Sequence, residues 1–336
     1  MQNNTRLLFN AYLERQQELN TVPSARESFN VAPSVQQTLE TKVQESSEFL
    51  KAVNIIGVRE MKGERLGLGI SGPIASRTNT EVADRVPRTV ETLESTGYEC
   101  KKTDYDTAIK YATLDAWAKF PDFQTRLRDA IIKRQALDRM VIGFNGKTAA
   151  ATTDRAANPL LQDVNIGWLQ HIRAEAGIRV LDDGATAGKV KVGGANADYS
   201  NVDALVYDAY QTLLEPWFRN DGDLVAIVGR NLMHDKLFPL VSANNAPTEQ
   251  LAADIVRSQR RLGGLPGITV PYFPDNTVLI TRLDNLSIYW QESARRRTIV
   301  DNAKRDRIEN YESSNDAYVV EDYGMCALIE NIELGA

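Results

Sequence analysis

Residues 122–144, DFQTRLRDAIIKRQALDRMVIGF, carry the clearest secondary-structure signal in the chain. Their apolar side chains recur at three- and four-residue steps as far as Phe144, which predicts one amphipathic helix. Asp122 suits the N-cap position, and Gly143 and Asn145-Gly146 are expected to stop the helix. At about 1.5 Å per residue the helix is a rod of roughly 30 Å. A rod of that length has to lie along another layer of structure.

Strand patterns dominate the C-terminal part of the chain. Apolar runs between turn residues predict four short strands, at residues 268–273, 277–281, 286–290 and 298–300. A final pair of long, highly charged strands is predicted at about 307–311 and 317–330. Helical patterns lie mostly before this region, for example at residues 202–213. Because helices and strands come in blocks, we expect an α+β fold.

The segment at residues 60–80 alternates leucine or isoleucine with glycine, so a strand there has one apolar face and almost no side chains on the other. Residues 78–97 then show no periodicity, and a strand pattern resumes at residues 98–111. Two strands joined by such a long polar excursion predict an extended, protruding loop. Loops of this kind serve as lids in enzymes or as contacts in proteins that assemble.

The first thirty residues look separate from the rest. Apolar residues such as Phe9 and Leu13 predict a helix at residues 5–19. Residues 21–34 contain two prolines among small and polar residues, which predicts a loose linker. Two interpretations stay open at this point: a detachable arm, or a helix packed on the body of the protein.

Composition excludes several classes of protein. Acidic residues outnumber basic ones by 45 to 39 in 336 residues, which argues against a dedicated nucleic-acid binder with a strongly basic groove. Two cysteines, Cys100 and Cys326, are too few for a disulfide framework and lack metal-ligand spacing. No run approaches the roughly 18 apolar residues of a membrane span, and no secretory signal is visible. We expect a cytoplasmic protein with no membrane partner.

Only one motif suggests a cofactor. Residues 67–72, GLGISG, match the dinucleotide pattern G-x-G-x-x-G. The context is wrong, because Pro73 and a polar loop follow where the motif needs a helix. His171 and His234 have no nucleophile pattern beside them. We therefore expect no catalytic residue, no metal and no cofactor, and a nucleotide-binding enzyme remains the unfavoured alternative.

Two basic runs are candidates for contacts with other molecules. DNA phosphates or acidic loops of neighbouring subunits could bind them, and the acidic balance of the chain favours the neighbouring subunits. The residues are Arg295, Arg296, Arg297, Lys304, Arg305 and Arg307.

Several blocks of sequence resemble the major capsid proteins of P2-like (peduovirus) tailed bacteriophages. They include RLLFNAYL (residues 6–13), VQQTLETKVQESSEFL (35–50), EMKGE (60–64), WAKFPDFQTRLRDAIIKRQ (117–135) and LLEPWF (213–218). Further blocks follow at residues 224–238, 265–290 and 307–323. No single block is decisive, but their order over almost the whole chain makes the resemblance specific.

The resemblance implies the Hong Kong 97-type capsid fold. Its implied parts are a scaffold-like segment (1–29), an N-arm (30–59), an extended loop (60–111), a peripheral domain (112–158 and 300–336) and an axial domain (159–299). It also implies that a protease removes the first segment near Phe29 and Asn30. The residues of the extended loop expected to contact a neighbour are Leu66, Gly67, Leu68, Gly69, Ile70 and Gly72.

The implied function is self-assembly of many copies, as hexamers and pentamers, into an icosahedral procapsid and then a mature virion head. Assembly would take place in the bacterial host cytoplasm. The implied partners are an internal scaffold, the prohead protease, a portal protein and packaged double-stranded DNA that is enclosed without sequence-specific binding. An encapsulin-like compartment is the alternative with the same fold, and the scaffold-like opening segment favours a phage.

Overall fold

A computed structural model of the chain describes residues 1–66, 69–70, 75–82, 84–87, 91–92, 95–120, 123–234 and 261–335. The helices are α1 (Asn3–Asn20), α2 (Pro33–Glu45), α3 (Glu48–Ala52), α4 (Tyr111–Trp117), α5 (Phe123–Asn145), α6 (Trp168–Glu175) and α7 (Val202–Leu213). The strands before α7 are β1 (Phe29–Asn30), β2 (Asn54–Val58), β3 (Lys62–Leu66), β4 (Gly69–Ile70), β5 (Glu91–Thr92), β6 (Ser95–Glu99), β7 (Lys101–Asp104), β8 (Thr107–Lys110), β9 (Val180–Leu181) and β10 (Val190–Val192). The strands after α7 are β11 (Val225–Val228), β12 (Arg261–Leu262), β13 (Leu265–Ile268), β14 (Val278–Thr281), β15 (Leu286–Gln291), β16 (Arg296–Asn302), β17 (Arg307–Val320), β18 (Ala327–Ile329) and β19 (Ile332–Leu334). The α+β prediction is confirmed.

A seven-stranded sheet is built around the 14-residue strand β17. Ser313 pairs with Arg296 of β16 on one edge and with Asp104 of β7 on the other. Asp316 pairs in the same way with β15 and β7, so β15 and β16 follow one edge of β17 in succession. Strands β7 and β8 follow the opposite edge. On the β15/β16 side of the sheet, the outer strands are β1, beside β16, and β2, beside β15, and on the opposite side no described strand lies outside β7 and β8.

The edge formed by β15 and β16 contains a bulge. Trp290 of β15 pairs with Asp316 of β17, and Arg296 of β16 pairs with Ser313 of β17. Trp290 and Arg296 are six residues apart in sequence, whereas their partners in β17 are only three residues apart. Extra residues in one strand bend the chain and redirect a side chain. Here the bulge ends at Arg295, whose side chain is buried in the core.

Strand β17 corrects one of the predictions. Two strands were expected at residues 307–311 and 317–330, whereas one strand runs without a break through residues 312–316 and the short β18 follows after a turn. The prediction left residues 312–316 outside both strands, but Glu312 and Asp316 are buried and bound by side chains from elsewhere in the chain. The expected strand at residues 268–273 is also wrong, because β13 ends at Ile268.

A six-stranded sheet forms a second layer, in the order β12-β13-β11-β14-β18-β9. Its apolar side chains pack with helix α7, which was predicted at the same residues. The expected boundary at residue 299 does not coincide with the division between the sheets. Strand β15 precedes that boundary but lies in the seven-stranded sheet, and β18 follows it but lies in the six-stranded sheet.

The predicted long helix is α5, and its second half packs into the main core. Gly143 allows the close approach of the Trp168 ring, since a Cβ at this glycine would lie 2.3 Å from a ring carbon. The indole N–H of Trp168 donates to the carbonyl of Ser287 at 2.9 Å. These contacts fix α5 and α6 against the seven-stranded sheet. The aromatic side chains that meet here are Phe49, Phe144, Trp168, Phe273 and Tyr318.

Five buried charges form a network between α2, α5 and the seven-stranded sheet. Arg295 donates to Glu40 at 2.6 Å and to Glu312 at 2.7 Å. Arg139 donates to Glu40 at 3.1 Å and to Asp316 at 3.4 Å. Charge-assisted hydrogen bonds of this kind are strong, and removing one partner leaves the others buried without compensation.

Glu312 is a carboxylate of this network whose pKa is clearly shifted. Its burial alone would raise its pKa, but the charges of Arg295 and Arg297 outweigh that effect and lower the pKa to about 2. The ordinary value is 4.5. A carboxyl with a lowered pKa in the folded state stabilises that state above its unfolded pKa, and this stabilisation is lost as the pH falls from about 4.5 towards 2.

We expect Glu312→Gln to lower the free energy of unfolding of the unassembled subunit by about 3–5 kcal/mol at pH 7, because Arg295 loses a buried counter-charge. Urea unfolding between pH 7 and pH 3 measures this, and the variant should lose less stability than the wild type below pH 4.5. The control is Glu48→Gln, since the Glu48 side chain is exposed. Equal stability of both variants would contradict the role assigned to the network.

Candidate assembly surfaces

Residues 62–99 contain an antiparallel ribbon, which we call the extended ribbon. Strand β3 pairs with β6 over five residues, and β4 pairs with β5 over two. Within the described residues, neither pair is joined to the larger sheets. An isolated two-stranded ribbon is marginally stable in water and needs another strand or surface to pack against.

The root of the extended ribbon is anchored to the seven-stranded sheet. The ring of Tyr98 packs edge-on against Tyr289 of β15, with centroids 5.1 Å apart. The same ring covers Gly63, where a Cβ would lie 2.6 Å from it. Glu99 binds Lys62 at 2.9 Å and Lys101 at 2.7 Å. The ribbon therefore leaves the body of the subunit in a defined direction.

The part of the extended ribbon farthest along the chain from its root carries two exposed valines among polar residues. Val82 is 82% exposed and Val86 is 79% exposed. A turn orders the backbone here, because Val82 N–H donates to the carbonyl of Asn79 and Glu81 N–H donates to the Asn79 side chain. Exposed valines are suitable side chains for an apolar contact with another subunit.

The predicted contact residues of the loop are only partly described. Gly67, Leu68 and Gly72 lie outside the described residues, whereas Leu66, Gly69 and Ile70 belong to ribbon strands. Their contact role remains a prediction. Gly69 and Ile70, in the middle of the dinucleotide-like motif, form strand β4, where a nucleotide loop would have to begin a helix.

Helix α1 is packed on the body, which decides between the two interpretations left open by the sequence. Phe9 is 1% exposed and packs in one cluster with Ile299 and Ile308 of the seven-stranded sheet. The guanidinium of Arg297 donates to the Tyr12 hydroxyl at 2.7 Å. The docked helix thus combines apolar burial with specific polar contacts.

The expected loose linker at residues 21–34 is wrong. Ala25, Phe29 and Val31 are buried. Ile299 N–H donates to the carbonyl of Ala25 at 3.0 Å, and Val31 N–H donates to the carbonyl of Arg295 at 2.8 Å. This segment is ordered because it supplies backbone partners to the outer edge of β16, which would otherwise be unpaired.

The predicted processing site lies within this paired segment. Phe29 and Asn30 form β1, in register with Arg297 and Arg296. A protease needs an extended and accessible backbone, so this segment has to leave the edge of β16 before cleavage.

The structure corrects the interpretation of the basic runs. Arg295 is only 1% exposed and binds Glu40, Glu312 and Gln135, so the expected contact with DNA or a neighbour is wrong for this residue. The cause is the bulge, which turns Arg295 into the core. Glu40 and Arg139, its partners in the network, were not singled out from the sequence.

The other basic residues differ in accessibility. Arg297 is half-buried under α1, where it donates to Asn310 at 2.6 Å, and Arg307 binds Glu309 at 2.6 Å. The remaining side chains are exposed and available to a partner: Arg296, Lys304 and Arg305.

Other candidate chemistry finds no support in the described part of the chain. Burial raises the pKa of the thiols of Cys100 and Cys326 to about 12, so both behave as inert buried side chains. Across the described ranges, no three His, Cys, Asp or Glu side chains are grouped as metal ligands. The same ranges contain no helix with the length and hydropathy to cross a membrane.

We expect Phe9→Ala to detach α1 from the body, because it removes a buried ring from the contact with Ile299 and Ile308. Hydrogen exchange of the α1 amides should then accelerate about tenfold or more, since tenfold corresponds to about 1.4 kcal/mol. Leu7→Ala is the matched control on the same helix, because Leu7 is 68% exposed. Equal exchange in the two variants would mean that the helix is not docked.

Comparison with known proteins gives consistent relatives over the full length. The family model described as phage major capsid protein, P2 family, matches residues 8–332. The chain is 50% identical to the capsid proteins of Escherichia phage P2, with 100% of this chain and 96% of the relative covered. It is 41% identical to the major capsid protein of Serratia phage KSP20, with 99% and 97% covered.

Solved structures agree with these relatives. A chain of the satellite phage P4 procapsid including size determination (Sid) protein is 48% identical, with a TM-score of 0.81 and coverage of 100% of this chain and 99% of that chain. The capsid of a native GTA particle is 13% identical, with a TM-score of 0.53 and coverage of 87% and 91%. The second similarity concerns the fold alone.

Proposed function

The chain belongs to the P2 family of phage major capsid proteins, and we propose that its copies assemble through the extended ribbon into a procapsid that matures into the head. The protein is a structural component of a phage capsid and not an enzyme. Its fold is the Hong Kong 97-type capsid fold. The mechanism is binding: each subunit contributes weak contacts that become strong together when the shell closes.

The extended ribbon is the observation that carries this proposal. It is a two-stranded structure with exposed valines, and a monomer would gain nothing from it. A neighbouring subunit would supply the surface that the ribbon needs. The relation to a procapsid subunit at 48% identity supports the same use of the segment in this chain.

We assign the capsid domains by sheet. The seven-stranded sheet with α5 would be the peripheral domain, and the six-stranded sheet with α7 would be the axial domain. Around the axial domains the subunits would form hexamers and pentamers. The chain crosses between the two sheets several times, which would couple the ring contacts of one domain to the ribbon contacts of the other.

The other partners follow from the same function. We propose an internal scaffold, a prohead protease and a portal protein as assembly partners, and double-stranded DNA as the enclosed cargo. The exposed side chains of Arg296, Lys304 and Arg305 suit phosphates or a neighbour's carboxylates without reading a base sequence. An encapsulin-like compartment shares the fold, and the full-length similarity to P2 and KSP20 capsid proteins favours the phage head over it.

We expect the chain, co-expressed with its scaffold, to sediment in part as a fast fraction that contains shells or tubes in electron micrographs. The double variant Val82→Asp, Val86→Asp should reduce this fraction about tenfold, because it places two charges in an apolar contact. Its circular dichroism should remain unchanged, since both valines are exposed in the subunit. Ile178→Asp is the control, because Ile178 is 84% exposed outside the ribbon. A stable wild-type monomer in the presence of scaffold would refute the proposal.

We expect the chain in mature particles to begin at Asn30, because processing would remove the segment that carries α1. Intact-mass spectrometry of subunits from purified heads measures this directly. Subunits produced without the protease should keep Met1 or begin at Gln2 and serve as the reference. An N-terminus at residue 1 or 2 in mature heads would exclude processing at this site.

A further inference from the structure

Helix α1 covers a guanidinium whose hydrogen bonds depend on the first 29 residues. Arg297 donates from three nitrogen atoms: to the Tyr12 hydroxyl at 2.7 Å, to the Gln16 side chain at 3.1 Å and to the Asn310 side chain at 2.6 Å. Tyr12 and Gln16 both belong to α1. Two of the three acceptors would therefore leave with the segment that processing removes.

These acceptors are all uncharged, which distinguishes Arg297 from Arg139 and Arg295. Each of those two arginines binds two carboxylates directly. Among the described residues, no carboxylate accepts a hydrogen bond from Arg297. Glu312 lies opposite Arg297 on β17 and attracts its charge, but the Glu312 side chain is hydrogen-bonded to Arg295. The guanidinium of Arg297 can therefore take a charged acceptor once α1 is gone.

Removal of residues 1–29 would also free a backbone donor beside Arg297. The N–H of Ile299 donates to the carbonyl of Ala25 at 3.0 Å, and Phe29 pairs with Arg297 itself. Ala25 and Phe29 both lie in the removed segment. The uncovered β16 would then offer an amide N–H and a guanidinium, which are two of the groups that bind phosphate oxygens.

Asp301 is uncovered together with Arg297 but lies too far away to replace the lost acceptors. It loses Arg6 of α1 and keeps the Tyr111 hydroxyl. It stands four residues from Arg297 along β16, which is about 13 Å in an extended strand. The removed segment contains three arginines and three glutamates, so its side chains carry no net charge. Its removal would therefore expose donors without changing the side-chain charge of the subunit.

We propose that Arg297, uncovered by the removal of residues 1–29, binds a phosphate group of the enclosed double-stranded DNA. This inference rests on the proposed function, in which an internal scaffold and a protease act on the segment from inside the shell. The face that carries α1 would then be the inner face, and DNA would be the anion that enters after processing. Helix α1 thus keeps the phosphate site closed until the shell has been processed.

Arginine modification with phenylglyoxal, followed by mass spectrometry of the digested chain, tests this in three kinds of particle in phosphate-free buffer. In unprocessed shells made without the protease, α1 should protect Arg297. In processed heads emptied of DNA, we expect its modification to rise about tenfold or more, because the cover has been removed. In DNA-filled heads it should return to the unprocessed level. Arg139 is the control and should stay unmodified in all three, because it is 1% exposed and its partners Glu40 and Asp316 lie outside α1.

Equal modification of Arg297 in emptied and filled heads would overturn the proposal. Protection in both would mean that another segment of protein covers Arg297, and reactivity in both would mean that DNA does not contact it. The same spectra report the N-terminus of the chain. Residues 1–29 still present in filled heads would refute the processing step of the proposed function, which distinguishes that failure from a missing DNA contact.

Two substitutions separate the DNA contact from the docking of α1. Arg297→Gln and Tyr12→Phe both remove the hydrogen bond between Tyr12 and Arg297. Processing removes residue 12, so mature heads made from the Tyr12→Phe chain would have the wild-type sequence. We expect filled Arg297→Gln heads to release DNA at a lower temperature than these heads, because each subunit loses a phosphate contact. Equal release temperatures would contradict the contact.

The heat stability of the shell itself provides the control for this comparison. Emptied heads of the two variants should melt at the same temperature, which would exclude a general defect of the Arg297→Gln shell. If the emptied Arg297→Gln heads melt at a lower temperature, the chemical modification of wild-type particles decides the question without this variant.

Discussion

The structure depends on five buried charges that join parts of the chain far apart in sequence. Arg295 and Arg139 both bind Glu40, and each also binds one carboxylate of β17. Apolar packing alone would allow α2 and α5 to slide along the sheet, because such contacts are not directional. A shift of either helix would leave buried ions without partners, at a cost of several kcal/mol. The network therefore sets the position of both helices on the sheet.

This arrangement also explains why the root of the extended ribbon is fixed. The chain enters the ribbon from β2, which follows α2 and α3, and returns from it into β7. Strand β7 pairs with β17 at Asp316, where the network lies, and β2 pairs with β15 beside the same part of β17. Both ends of the ribbon are thus attached to the most strongly constrained part of the subunit. The exposed valines project from a rigid base, so the entropic cost of placing them against a neighbour is reduced.

Local patterns predicted much of the fold, and the error at residues 312–316 involves partners distant in sequence. The periodicity of residues 122–144 and 202–213 identified α5 and α7, because the apolar repeat of an amphipathic helix is contained in a single segment of sequence. The predicted strands leave a gap at residues 312–316, because nothing near them in sequence shows that Glu312 binds Arg295. The one available signal was in α5, where Gln135 and Arg139 stand four residues apart among apolar positions and are buried. A charge on the apolar face of a helix requires a buried counter-charge somewhere else.

The candidate surfaces were predictable in kind but not in detail, for the same reason. Glycine and leucine alternation indicated a protruding ribbon, yet an open or covered sheet edge depends on topology that no local pattern encodes. The outer strands of the seven-stranded sheet illustrate this. Strand β1 pairs with β16 and β2 pairs with β15, and both lie beyond the same edge of β17. Helix α2 and helix α3 separate β1 from β2 in the chain, so neighbouring positions in the sheet are filled by segments with different local surroundings. The packing of the whole subunit decides which segment covers which strand, and a single segment does not contain that information.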